Sequence, residues 1–181
     1  MSRQRPLLLD RDGVINERIP NGYVINWQDF RFIPGVLEFL SWASGIFWPI
    51  CVVTNQQGVA KGLMSQEALE NIHTLMVQSI SAAGGRIDGV YACTEQAGVR
   101  NGCRKPGTSM ADWIKSDFPQ IHLNQAIMVG DTVSDMEFSR RINALPVYFG
   151  SSCSVDAAVQ FHSFETISIW LEGYENENQH F

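Results

Sequence analysis

The stretch Leu7-Leu8-Leu9-Asp10-Arg11-Asp12-Gly13-Val14 decides how the rest of the chain is read. An apolar run of strand length leads straight into a pair of carboxylates. Side chains along a strand alternate between faces, so Asp10 and Asp12 point one way at its exit and Arg11 the other. Gly13 lets the backbone turn sharply off the sheet. Like charges held this close repel, and a divalent cation or a shared proton relieves the repulsion. The strand end reads as a chemical site rather than as packing.

Outward from there, short apolar runs alternate with longer amphipathic ones. Residues 6–10, 49–54, 87–92, 125–130 and 145–149 read as strands. Pro34 is expected to open a helix to about residue 44, with Val36, Leu37, Leu40 and Ala43 on one face. Ser65 is an N-cap for a helix to about residue 83, striped by Leu69, Ile72, His73, Met76 and Ile80. Residues 108–118 form a further helix. Ser134 and Glu137 read as a capping box for a helix to residue 142. A last helix covers 164–171. The alternation predicts an α/β fold: a three-layer, Rossmann-like parallel sheet flanked by helices. Residues 1–172 are expected to form one domain and 173–181 a polar, frayed tail.

The chain has 181 residues and a net charge of -6, with a pI near 5.1. That balance argues against nonspecific binding to nucleic acid or to an anionic membrane. No apolar run approaches the ~20 residues of a membrane span. The basic start, Met1 to Pro6, precedes an apolar segment broken by charges and is not read as a signal peptide. Cys51, Cys93, Cys103 and Cys153 are sparse and irregularly spaced, so reduced thiols and a cytoplasmic location are expected. A monomer is expected.

Ligands of parallel α/β sheets sit at the carboxyl ends of the strands, and polar residues gather there. The first end carries Asp10 and Asp12. The second carries Thr54-Asn55-Gln56-Gln57-Gly58, and a loop after the third carries Arg104-Lys105-Pro106. The fourth carries Gly130-Asp131, with Asp135 four residues on. Acid, hydroxyl, cation and acid are the parts phosphoryl transfer needs. Asp10 can attack phosphorus, and Asp12 can give and take a proton. Asp10, a carbonyl near Asp12 and Asp131 offer hard oxygens to magnesium. Lys105 neutralises phosphoryl oxygens, and Thr54 holds them in place.

Asp10-x-Asp12-Gly13-Val14, Thr54-Asn55, Lys105 and Gly130-Asp131-x-x-x-Asp135 resemble the motifs of the haloacid dehalogenase-like phosphatases over nearly the whole chain. Asn21-Gly22-Tyr23-Val24, Phe32-Ile33-Pro34-Gly35-Val36, Thr54 through Gly62 and Cys103-Arg104-Lys105-Pro106 resemble one branch. That branch holds the D,D-heptose 1,7-bisphosphate phosphatases and histidinol-phosphate phosphatases. The resemblance implies Asp10 as nucleophile, Asp12 as acid and base, and Thr54 and Lys105 as phosphoryl stabilisers. Magnesium is expected on Asp10, Asp12 and Asp131. The expected substrate contacts are Arg11, Asn21, Gly22, Tyr23, Asn55, Gln56, Arg104 and Thr132. No large cap domain is expected, because the segments between motifs hold little more than a loop, a strand and a helix.

The chain departs from the branch in two places. Relatives carry a structural zinc on Cys-x-His and Cys-x-Cys pairs. Here the pairs read Cys93-Thr94-Glu95 and Asn101-Gly102-Cys103, leaving Cys93 and Cys103 of four ligands, a poor set for zinc. Relatives also place a lysine after the fourth-motif aspartate, where this chain has Thr132, which removes a cation from the pocket. The leading expectation is a magnesium-dependent phosphomonoesterase acting on a small sugar phosphate through an aspartyl-phosphate. The alternatives are a histidinol-phosphate phosphatase, a nucleic-acid 3′-end phosphatase and a non-catalytic phosphate- or sugar-binding module. Nucleic acid and membrane are not expected partners. Asp135 reads equally as a helix-start acid, His73 as packing, and Trp27 as a loop anchor.

Overall fold

β1 (Leu7–Leu9) is wholly buried and lies in the middle of a six-stranded sheet. The computed structural model describes residues 5–99, 102–151 and 159–178. Cys153, Asn101 and the first four residues, about which the sequence raised expectations, lie outside them. Around β1 are β2 (Ile50–Asn55), β3 (Gly89–Cys93), β4 (Ile127–Gly130), β5 (Leu145–Phe149) and β6 (Val159–Phe161). Their order is β3-β2-β1-β4-β5-β6, and every pairing is parallel. The chain builds outward on one side of β1 through β2 and β3, then returns to its other side with β4. Connections therefore diverge between β1 and β4, the place where such sheets open a ligand crevice.

Alternation along the strands splits the core in two. Leu7, Leu9, Ile50, Val52, Ile127 and Val129 face α1 (Val36–Ala43), α2 (Gln66–Ala82) and α5 (Phe164–Asn178). Leu8, Cys51, Val53 and Met128 face α3 (Ser109–Asp117) and α4 (Val133–Arg141). A near-continuous apolar strand is what a sheet covered on both faces requires. Burying one such Leu or Ile side chain is worth about 1.5–3 kcal/mol, so these rows dominate the stability. No helix among the described residues is long and apolar enough to cross a membrane.

Several local expectations are corrected. α1 starts at Val36, not at Pro34, because Gly35 takes the N-cap place in a left-handed conformation (φ 83°). α4 is capped two residues before Ser134: the Thr132 hydroxyl accepts from the Asp135 amide, and the Asp135 carboxylate accepts from the Thr132 amide. Thr-x-x-Asp makes the same reciprocal box as Ser-x-x-Glu. β6 was not anticipated; three edge residues are too short to show a period. The last helix runs to Asn178 rather than ending at Leu171. Ser65 caps α2 as expected, accepting from the Ala68 amide.

The expectation of reduced thiols fails for one pair. Cys93, the last residue of β3, is bridged to Cys103, with Cα atoms 5.5 Å apart. The carboxylate of Glu95 accepts from the Cys103 amide. Bond and carboxylate together pin the loop after β3. Cys51 remains a free buried thiol.

Candidate active site

The four polar strand ends converge. The Asp10 amide donates to the Val129 carbonyl at 2.9 Å, carrying the β1–β4 ladder one residue past the strand. The chain then turns, with the Ile15 and Asn16 amides donating to the Arg11 carbonyl and the Gly13 amide to the Asn16 carbonyl. Gly13 has φ +95°, and a Cβ there would fall 1.9 Å from an Asp131 carboxylate oxygen. Only glycine satisfies both the turn and the acid behind it.

Asp12 sits in a closed network. Arg11 Nη2 reaches both of its oxygens at 2.9 Å. Asn16 Nδ2 donates to Oδ1 at 2.9 Å and Gln56 Nε2 to Oδ2 at 2.6 Å. Burial alone would raise this carboxyl, but the Arg11 charge and hydrogen bonds from Arg11, Asn16 and Gln56 hold it below the usual range. Gln56 also donates to the Thr54 hydroxyl at 2.9 Å, so one amide ties the first strand end to the second.

Asp10 sits in an acid-rich corner. The carboxylate oxygens of Asp10, Asp131 and Asp135 can all lie within 4.8 Å of one another. Lys105, 3% exposed, reaches Asp10 Oδ1 at 2.9 Å and Asp135 Oδ1 at 2.6 Å. Its ammonium also donates to the Val53 carbonyl. Burial would lower this amine, yet Asp10 and Asp135 hold it above its ordinary value. Burial pushes Asp10 up to about 7; Lys105 opposes the shift, while Asp135, Asp131 and Asp12 add to it. One ammonium does not neutralise three acids, so the corner calls for further positive charge.

Arg18 answers part of that call. Its Nε and Nη2 donate to the two oxygens of Asp131 at 3.0 and 2.7 Å, and Nη2 donates to the Asp12 carbonyl at 2.7 Å. Nη2 is also 3.8 Å from Asp10 Oδ2. Sequence reading did not single out Arg18. It lies in a loop with no periodicity, and its partner Asp131 is 113 residues away.

A cavity of about 480 Å3 opens above these groups. Asp10, Asp12, Thr54, Asn55, Arg104, Lys105 and Thr132 line it, as do Asn21, Gly22, Tyr23 and Val24. Asn21, Gly22 and Tyr23, expected among the substrate contacts, thus border the cavity. Asn55 accepts from the Lys105 amide at 2.9 Å, which fixes the loop that delivers the lysine. Among the described residues the buried Nη1 of Arg104 has no hydrogen-bond partner. Tyr23 accepts from Gln57 Nε2 and Lys61 Nζ at 2.8 and 2.9 Å, which ties the 21–24 segment to the stretch after β2.

Three expected substrate contacts are not free for that role. Arg11 is fully buried, held between Asp12 and His73 Nε2, the latter at 3.1 Å. It curls back to Asp12, since a buried guanidinium needs acceptors and the adjacent carboxylate supplies them. Gln56 is 1% exposed and committed to Asp12 and Thr54. Thr132 lines the cavity, but its hydroxyl is committed to the α4 cap. Asp135, expected as a helix-start acid, caps α4 and also pairs with Lys105. Trp27 stacks on Phe30 with ring centroids 4.9 Å apart, a loop anchor as expected.

Comparisons with known proteins place the chain among phosphatases. The family model described as polynucleotide kinase 3 phosphatase matches residues 9–156. A D-glycero-alpha-D-manno-heptose-1,7-bisphosphate 7-phosphatase of Mycobacterium bovis is 39% identical over 139 residues, 76% of this chain and 73% of the relative. A D-glycero-beta-D-manno-heptose-1,7-bisphosphate 7-phosphatase of Helicobacter pylori is 34% identical over 137 residues, 75% of this chain and 78% of the relative. Among solved structures, D,D-heptose 1,7-bisphosphate phosphatase from B. bronchiseptica, complexed with magnesium and phosphate, superposes with a TM-score of 0.85. It shares 22% identity, covers 94% of this chain and 99% of its own, and shows the shared fold.

Proposed function

The chain belongs to the polynucleotide kinase 3 phosphatase family of haloacid dehalogenase-like phosphatases, and on that premise we propose that it releases phosphate from a D-glycero-D-manno-heptose 1,7-bisphosphate or a closely similar sugar phosphate. The observation that carries the reading is the convergence of Asp10, Asp12, Thr54 and Lys105 at one sheet edge under one cavity, with Asp131 joined to them through Arg18. The names of the relatives support the substrate class.

In this reading Asp10 attacks phosphorus and becomes an aspartyl-phosphate. Lys105 fixes its Oδ1 and keeps positive charge beside the phosphoryl oxygens. The Thr54 hydroxyl, held by Gln56, is the hydrogen-bonding contact on the opposite side. Asp12 stands ionised in its network and is ready to take a proton from the attacking water. To protonate the leaving alcohol Asp12 first takes up a proton from solvent, which the bound phosphate dianion favours by raising the neighbouring carboxyl. The unpartnered Nη1 of Arg104 suits a substrate oxygen.

The donor set fits magnesium, a hard cation with oxygen ligands. Asp10, Asp131 and the main-chain carbonyl of Asp12 would hold it, since the Asp12 side chain is committed elsewhere. When bound, the ion supplies charge neutralisation at the transferring phosphoryl group. Residues 1–172 would make up the catalytic domain.

The family model is named for polynucleotide ends, but the net charge of -6 disfavours a nucleic-acid backbone. The decisive test is phosphate release with magnesium from both anomers of the heptose bisphosphate, histidinol phosphate and a 3′-phosphorylated oligonucleotide. The heptose bisphosphate should give the highest kcat/KM, and EDTA should abolish it. Preference for the oligonucleotide, or a rate indifferent to EDTA, overturns the reading.

A further inference from the structure

We propose that Arg18 and the divalent cation take turns in one seat, so that magnesium must evict the Arg18 guanidinium in order to bind. The inference rests on the phosphatase reading. The guanidinium uses both Asp131 oxygens and the Asp12 carbonyl, and lies 3.8 Å from Asp10. These are the oxygens assigned above to the cation. A magnesium ion needs its ligands at about 2.0–2.1 Å, which leaves no room for the fork on the same atoms.

The exchange is feasible because Arg18 is loosely held. Its side chain is 48% exposed, against 1% for Lys105, and it stands on a loop rather than on a helix or strand. An ion pair this open to water contributes little, so a dication facing the same carboxylates displaces it. Arg18 also lines the substrate cavity with Tyr23, Lys61 and Arg104. Eviction therefore delivers a cation to the side where a phosphate ester enters. Until then the guanidinium quiets the repulsion among the acids and keeps the Asp12 turn against Asp131.

Calorimetric titration of magnesium into wild type, Arg18→Ala and Arg18→Lys, without substrate, tests the idea. A competitor that occupies the seat most of the time weakens apparent affinity by its occupancy. Arg18→Ala should bind magnesium roughly five- to tenfold tighter. Arg18→Lys keeps the charge but cannot reach all the oxygens, so it should show most of the gain. If Arg18→Lys binds like wild type while Arg18→Ala tightens, charge alone is responsible and the shared seat is wrong. In nitrogen-15 NMR spectra the Arg18 Nε–H should be protected without metal and lose protection on saturation; a signal indifferent to magnesium overturns the proposal. Equal magnesium affinity in all the proteins, with phosphate release intact, rejects the role of Arg18 alone. No magnesium binding and no phosphate release in any of them rejects the phosphatase reading as well.

Discussion

Asp10 and Asp12 leave the same strand two residues apart, yet their surroundings are built on opposite plans. Around Asp12 every oxygen has a donor: Arg11 is locked beside it, and Asn16 and Gln56 complete the shell. Around Asp10 there is a surplus of acid, with Asp131 and Asp135 close by and a single buried ammonium among them. The first region holds a carboxyl below its usual range; the second lifts one to about 7. Neighbouring carboxyls driven apart in this way take different chemical roles. The closed shell sets a proton carrier, and the acid-rich corner sets a nucleophile that awaits more positive charge.

The sharpest way to break the contrast is to neutralise each acid in turn. Asp10→Asn should lower phosphate release about 1000-fold or more, because no attacking group remains. Asp12→Asn should cost about 10²–10⁴-fold, the range for a lost general acid and base. Steady-state phosphate assays on folded variants check both, and similar small losses would erase the distinction.

Next in size is Lys105→Met. It strips the buried corner of its ammonium and leaves Asp10 and Asp135 facing each other. Breaking a buried pair from one side costs about 3–5 kcal/mol, which a urea midpoint measures. A midpoint near wild type would mean that the acids shed their charge at little cost.

Gln56→Leu is a finer probe of the closed shell. It removes one donor from Asp12 and one from Thr54. The expectation is a roughly tenfold drop in kcat, from a lost hydrogen bond to a charged group of about 1.5 kcal/mol, with KM little changed. The acidic limb of the pH profile should move upward, since Asp12 loses a group that favours its ionised form.

The last effect concerns the back of the same shell and shows only at acid pH. His73 is pushed down to about 3, by burial and then by Arg11. Below its ordinary value near 6.5 the unfolded chain takes up a proton that the folded chain refuses. Stability from this source is complete above pH 6.5 and declines as pH falls toward 3, by up to about 1.4 kcal/mol per pH unit. His73→Gln keeps an acceptor for Arg11 and should flatten the slope between pH 6.5 and 5 in urea titrations. An unaltered slope would place the titrating group elsewhere.

What the sequence makes legible follows from how local each cause is. The strands β1 to β5, the Ser65 cap and the strand-end acids come from short patterns, and they stand where the reading puts them. The fold class follows from their alternation. Arg11 and Gln56 look like site residues because they border the motifs, but burial turns both into supports for Asp12. That outcome depends on His73 reaching Arg11 from α2 and on Asp12 reaching Gln56 from the end of β1. Arg18 carries no local signature; only the folded loops bring it to Asp131. The cysteine pair was misread because compartment argues about average thiols, whereas the end of β3 and the following loop bring Cys93 and Cys103 to bonding distance.

The roof over the cavity is a short loop closed by Tyr23, with Lys61 and Gln57 reaching across to its hydroxyl. Such a latch opens by rotation of long, partly exposed side chains, on the picosecond-to-nanosecond scale rather than the microseconds of a hinged domain. Entry and departure of small molecules are then fast compared with bond breaking. Throughput in this protein should be governed by chemistry at phosphorus, and selection among guests by the length and charge of one loop.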